Sequence, residues 1–153
     1  MLVRRYELPM YRVALRMLGS GADAEDVTQE AFVQVWQKLA GFREESAFST
    51  WLYRIVINRC LNVRASYRPL EPLAESMLDA GGDAVEVVER RERWRAVSDA
   101  VRALPGEQRA ALVLREFEGL SYAEVAQVLS ITVAAVKGRV HRARLGVIEQ
   151  VGR

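Results

Sequence analysis

The sequence predicts an all-α protein of two small helical domains joined by an acidic linker, on the strength of three observations. Apolar residues recur at helical spacing through most of the 153 residues, while strand-like alternation is almost absent. The periodicity fails over one long stretch, Pro69 to Gly82, where Pro69, Pro72, Gly81 and Gly82 punctuate the chain. Charge divides at nearly the same place: residues 1–64 carry a net +2, residues 65–89 a net −5 and residues 90–153 a net +5. The expected units are therefore 1–66 and 84–153, with 67–83 as a flexible tether.

Composition excludes several function classes. Half of the residues are apolar and 27% charged, which suits a folded soluble chain. No apolar run approaches the ~18 residues of a membrane span, and the opening MLVRRYELPMYR lacks the apolar core of a signal peptide, so a cytoplasmic protein without membrane insertion is expected. Cys60 and His141 are the only cysteine and histidine, so neither a disulfide nor a His/Cys metal site is expected, and no cofactor. Without clustered carboxylates, a Gly-rich phosphate loop or a nucleophile–base pair, the chain does not read as an enzyme. Its uneven charge points instead to a polyanionic partner.

In chain order, a first helix is expected from Pro9 to Leu18, ended by Gly19-Ser20-Gly21. A second starts at Asp23 as N-cap and runs to about Leu39, with Val27, Ala31 and Val35 as its buried stripe, widened by Phe32 and Leu39. Asp26, Gln29, Glu30 and Val33 share a different face, which is left for solvent or a partner. A third helix, about Ala47 to Ala65, buries Phe48, Leu52, Ile55, Val56, Cys60 and Val63 and carries Thr50, Arg54, Asn58 and Asn62 on another face. Beyond the linker, a charged helix covers Ala84 to Ala103, and Pro105 opens one that reaches about Glu116.

The stretch LSYAEVAQVLSITVAAVKGRVHRARL, from Leu120 to Leu145, carries the sharpest local signal. Ser121 and Glu124 have the spacing of a capping box at the start of a short helix that stops near Ser130. Thr132 caps the next helix, whose apolar side is Val133, Val136, Val140 and Ala143, leaving Lys137, Arg139, His141, Arg142 and Arg144 largely free. No acid lies between Glu124 and Glu149. Two short helices, a tight turn and an acid-free basic second helix describe a helix-turn-helix, in which cations neutralise phosphates and reach base edges in the major groove.

Two segments together resemble the RNA polymerase sigma factors of the sigma-70 family, specifically the small extracytoplasmic-function (ECF, group IV) type. Residues 23–58, DAEDVTQEAFVQVWQKLAGFREESAFSTWLYRIVIN, resemble its region 2 helical bundle; residues 104–145 resemble its region 4 helix-turn-helix. The resemblance implies a subunit that binds core RNA polymerase, directs it to promoter DNA and aids strand opening, held in check by an anti-sigma factor. It assigns Asp26, Gln29, Glu30 and Val33 to the β′ clamp coiled coil. It assigns minus-10 recognition to Phe42, Arg43, Glu44, Glu45, Ser46 and Asn58, with Arg54, Arg59 and Asn62 as contacts to that DNA, because flipped bases stack on aromatics or enter a pocket. Minus-35 recognition falls to Lys137, Arg139, His141, Arg142 and Arg144, and region 4 also touches the β flap.

The chain departs from the family pattern at Ser130, Ala134-Ala135 and Gly138, where Gly, Gly-Thr and Ser are common; the lost hydroxyls bear on minus-35 binding. It opens almost directly on region 2, without an inhibitory region 1 or a region 3, as the small type does. The alternative reading is a plain helix-turn-helix regulator, disfavoured by the Asp26-Gln29-Glu30 face and by the aromatic segment after it.

Overall fold

The computed structural model describes residues 2–39, 48–63 and 84–152, and every regular element among them is helical. The linker expected at 67–83 lies outside the described residues. The order is α1 (Leu2–Leu18), α2 (Gly21–Lys38), α3 (Phe48–Val63), α4 (Ala84–Ala103), α5 (Gly106–Leu112) continued by a π-helical turn (Val113–Phe117), α6 (Tyr122–Leu129) and α7 (Val133–Val151).

α1 begins earlier than the sequence predicts and carries Pro9 inside it. Proline removes the N–H that would reach the carbonyl of Arg5, but Arg5 is exposed and water can serve that carbonyl. Packing holds the helix together across this position: Tyr6 stacks at a tilt on Phe48 with ring centroids 5.5 Å apart, and Met10, Val13, Ala14 and Met17 are buried. The helix stops at Gly19, whose φ of +73° favours glycine and whose N–H reaches the Leu15 carbonyl at 2.8 Å.

Ser20, not Asp23, caps α2: its hydroxyl accepts the Asp23 N–H at 3.3 Å. Both residue types cap well, and only the extended backbone at Ser20 decides between them. Val27, Ala31 and Val35 form the expected stripe, but Leu39 at its end is exposed. In α3, Leu52, Ile55, Val56 and Cys60 are buried as expected, and burial pushes the Cys60 thiol up to about 12. Thr50 is buried as well, against expectation, because α3 is covered by α1, α2 and α6 and loses more than one stripe to the interior.

α4 spans the expected range. Pro105 is the N-cap of α5 rather than its first helical residue, and the single helix expected to Glu116 widens into a π turn before Gly119, whose φ is +70°. The capping box of α6 is complete: the Ser121 N–H donates to Glu124 Oε1 at 3.0 Å, and the Glu124 N–H donates to Ser121 Oγ at 3.1 Å. Ser130 takes the left-handed conformation that ends α6, and Thr132 Oγ1 accepts the Ala135 N–H at 3.1 Å to start α7. Val136, Val140 and Ala143 are buried; Val133, expected beside them, stands in the first turn of α7 and is 38% exposed.

The two helical groups pack on each other. α1 meets α4, α5 and the π turn, while α3 meets α5 and α6, so the buried apolar residues form one continuous core.

Candidate functional site

On α2, Asp26, Gln29, Glu30 and Val33 are all exposed on one side. One turn beyond Val33 stands Trp36, 76% exposed, which the sequence reading passed over although its spacing from Gln29 and Val33 puts it on the same side. Glu7, Thr28, Gln29, Phe32, Val33, Trp36 and Gln37 line a shallow groove there. Glu7 is the acid in this lining. Glu30 pairs with Arg59 of α3 at 3.0 Å, and Arg59 Nε also donates to Gln34 Oε1 at 3.0 Å. An apolar patch with an aromatic anchor and an acidic border is the chemistry of a protein-binding face.

On α3, Asn58 and Asn62 are exposed one turn apart. Arg54 is half-buried: its Nη2 donates to the Gln127 carbonyl and its Nε to the Val128 carbonyl at 3.4 Å. A guanidinium thus caps the C-terminus of α6, where the helix dipole favours a cation. Phe42, Arg43, Glu44, Glu45 and Ser46 lie outside the described residues.

The five basic residues of α7 differ in their surroundings. His141 and Arg142 are exposed. The Lys137 ammonium lies 5.6 Å from the centre of the Tyr122 ring. Arg139 and Arg144 are engaged rather than free: Arg139 pairs with Glu107 at 3.7 Å, and Arg144 Nε donates to Glu116 Oε1 at 2.7 Å. Both acids come from α5 and its π-helical continuation, partners that spacing along α7 does not disclose. At Gly138 the helix surface is bare, and the Arg142 guanidinium lies back over it, 3.3 Å from where a Cβ would stand.

Between the two helical groups lies a polar layer. Arg109 donates to the Met17 carbonyl and, at 3.3 Å, to that of Leu104, while Arg102 Nη1 lies 3.5 Å from the Gly19 carbonyl. Arginines of α4 and α5 therefore cap α1, and Arg54 of α3 reciprocally caps α6. The Tyr53 hydroxyl lies 3.4 Å from Glu118 Oε2, and Arg16 stacks on Phe117 at 4.6 Å. Burial raises the Glu118 carboxyl pKa, opposed by Arg16, the Tyr53 hydrogen bond and Arg12. Burial likewise raises Tyr53, and lowers Arg16. Glu118 Oε1, Arg16 Nε and Trp94 Nε1 are buried without a hydrogen-bond partner among the described residues. Each such atom costs about 1–3 kcal/mol, so this joint is weaker than its apolar area suggests.

Comparison with known proteins identifies the framework. Residues 2–69 match the family Sigma-70 region 2, and residues 94–145 match Sigma-70, region 4. The RNA polymerase sigma-H factor of Pseudomonas aeruginosa is 36% identical over 156 residues, covering 94% of this chain and 81% of that protein. The ECF RNA polymerase sigma-E factor of Escherichia coli is 34% identical over 163 residues, covering 99% and 85%. Among solved structures, CnrH in complex with the cytosolic domain of CnrY superposes with a TM-score of 0.73 at 28% identity, covering 99% of this chain and 85% of that one. The sigma factor RpoE bound to the anti-sigma factor NepR from Bartonella quintana shares the fold, with a TM-score of 0.75 at 20% identity over 98% and 94% of the two chains. With both regions matched in order around one helical framework, the chain belongs to the ECF RNA polymerase sigma factors of the sigma-70 family.

Proposed function

We propose that this chain directs core RNA polymerase to promoters through three surfaces that must separate to act. The α2 face built from Asp26, Gln29, Glu30, Val33 and Trp36 docks on the β′ clamp coiled coil, with Trp36 as its anchor. The segment Phe42 to Ser46, together with Asn58 and Asn62 for the bases and Arg54 and Arg59 for phosphates, reads the minus-10 element and holds flipped bases. The helix-turn-helix of α6 and α7 reads the minus-35 element through Lys137, Arg139, His141, Arg142 and Arg144 and meets the β flap. Units 1–66 and 84–153 act as separate bodies on the polymerase, and the acidic residues Glu71, Glu75, Asp79 and Asp83 keep the tether off the DNA.

The observation that carries this reading is the coexistence, in one chain, of the exposed Trp36 groove and the capped helix-turn-helix. A plain DNA-binding regulator has no need of the first. The work of such a subunit is binding rather than bond chemistry, and its place is the cytoplasm with the polymerase. An anti-sigma factor that covers the α2 groove and clasps the closed pair of units keeps it inactive; the sigma factor RpoE, bound in its structure to the anti-sigma factor NepR, shares this fold.

Charge reversal of Asp26 and Glu30 tests the docking face. The double variant Asp26→Lys, Glu30→Lys is expected to lose at least about tenfold in affinity for core polymerase, the scale of a disrupted complementary interface. Helical content by circular dichroism stays unchanged, since both residues are exposed. Unaltered core affinity removes the α2 face from the polymerase interface.

A further inference from the structure

The first turn of α7 presents methyl groups where a recognition helix usually presents hydrogen-bonding side chains. Val133 is 38% exposed, and Ala134 beside it is exposed. The polar groups around them are committed elsewhere. Thr132 Oγ1 accepts the Ala135 N–H as the helix cap, and Ser121 and Glu124 are closed on each other in the capping box. Burial accounts for only part of the valine, whose remaining surface faces outward, and helix propensity does not favour it, since valine is among the weaker helix formers.

The N-terminal residues of the second helix of a helix-turn-helix are those that reach base edges. On the major-groove edge of B-DNA, the 5-methyl of thymine is the one apolar group, and apolar side chains select it. Resting on the reading of α7 as the minus-35 recognition helix, we infer that Val133 and Ala134 read the 5-methyl groups of one or two adjacent thymines in that element. Specificity at those base pairs comes from a methyl contact instead of a hydrogen bond. Ala135, which stands where a hydroxyl residue is common in the family, has a short side chain that leaves room for the helix to seat closely enough to make it.

Deoxyuridine keeps every hydrogen-bonding group of thymine and lacks only the methyl, so it isolates this contact. Holoenzyme assembled from core polymerase and the full chain is titrated with duplex promoter in which each thymine of the upstream element, on either strand, is replaced singly by deoxyuridine. One or two adjacent substitutions are expected to weaken binding about fourfold, the equivalent of ~0.8 kcal/mol for one buried methyl group. In Val133→Ala holoenzyme at least one of these penalties is expected to fall below about twofold, a thymine met by Ala134 keeping its own, while circular dichroism of the variant stays unchanged. Deoxyuridine that is neutral at every position, penalties that all persist undiminished in Val133→Ala, or an upstream element without an A·T pair overturns the methyl reading while leaving α7 as the recognition helix. Scrambling the whole upstream element without effect on binding overturns the recognition-helix reading itself, and this inference with it.

Discussion

Trp36→Ala is expected to weaken binding to core RNA polymerase by about thirtyfold or more, with no measurable loss of fold stability. Trp36 is 76% exposed in the free chain, so truncating it opens no cavity, and surface substitutions away from structural features usually stay within about 0.5 kcal/mol. At the centre of a docking face the same side chain becomes an anchor, and such aromatic anchors commonly carry about 2 kcal/mol or more each. Phe32 and Val33 line the same groove and Glu7 supplies its acid, so the groove is shaped before any partner arrives. Titration of labelled chain with core polymerase, alongside a thermal melt, separates the two effects. An affinity within about threefold of the parent removes Trp36 as the anchor.

The second large effect is opening. In the free chain α3 and α6 touch, and Arg54, assigned to minus-10 DNA, is occupied with the carbonyls of Gln127 and Val128. A compact chain of this size has a radius of gyration of about 15 Å, whereas the centres of the minus-10 and minus-35 elements lie on the order of 85 Å apart along B-DNA at about 3.4 Å per base pair. The closed form cannot hold both. Labels at Lys38→Cys and Gln150→Cys, both exposed positions, report the distance between the units, and the buried Cys60 stays unlabelled. The distance is expected to lengthen by several tens of ångströms on binding core polymerase; an unchanged distance contradicts a closed-to-open transition.

Acid should oppose opening in the free chain. Burial raises the Glu118 pKa in the closed form, while Arg16 and Arg12 of α1 and Tyr53 of α3 work against that shift. Where opening removes the burial, the carboxyl returns toward the ordinary value of 4.5, so the closed form binds the proton more tightly than the open form. As pH falls through the raised pKa toward 4.5, closure therefore strengthens, and below 4.5 the gain is complete. The comparison is made against Glu118→Gln, in which this part of the pH dependence disappears.

Local chemistry made much of the fold legible. The Ser121–Glu124 box and the Thr132 cap are written in adjacent residues and form as their spacing predicts, as do the centres of the apolar stripes, Val27, Ala31 and Val35 in α2 and Leu52, Ile55, Val56 and Cys60 in α3; the stripe ends Leu39, Phe48 and Val63 are less covered than predicted. What spacing leaves open is which neighbour a face meets. Thr50 is buried because α6 from the other unit helps to cover α3, and Arg139 and Arg144 are held by acids of α5 and its π turn. Pro9 sits inside a helix because Tyr6 has Phe48 to pack on, a contact between segments more than forty residues apart. Trp36 shows the same limit in reverse: helical spacing put it on the polar side of α2, but only the packed structure leaves it without cover. The function was legible through family resemblance in two separate segments, since periodicity alone reaches no further than a helix-turn-helix.

The most direct test of the central claim is run-off transcription with purified core RNA polymerase, this chain and a library of promoter fragments, with sequencing of the transcript starts. Initiation that depends on the chain is expected, at discrete starts preceded by two shared sequence elements, with loss of that initiation in Trp36→Ala at limiting concentration. No chain-dependent initiation, together with ordinary duplex DNA binding and no affinity for core polymerase, would contradict it and leave a plain helix-turn-helix regulator as the better description.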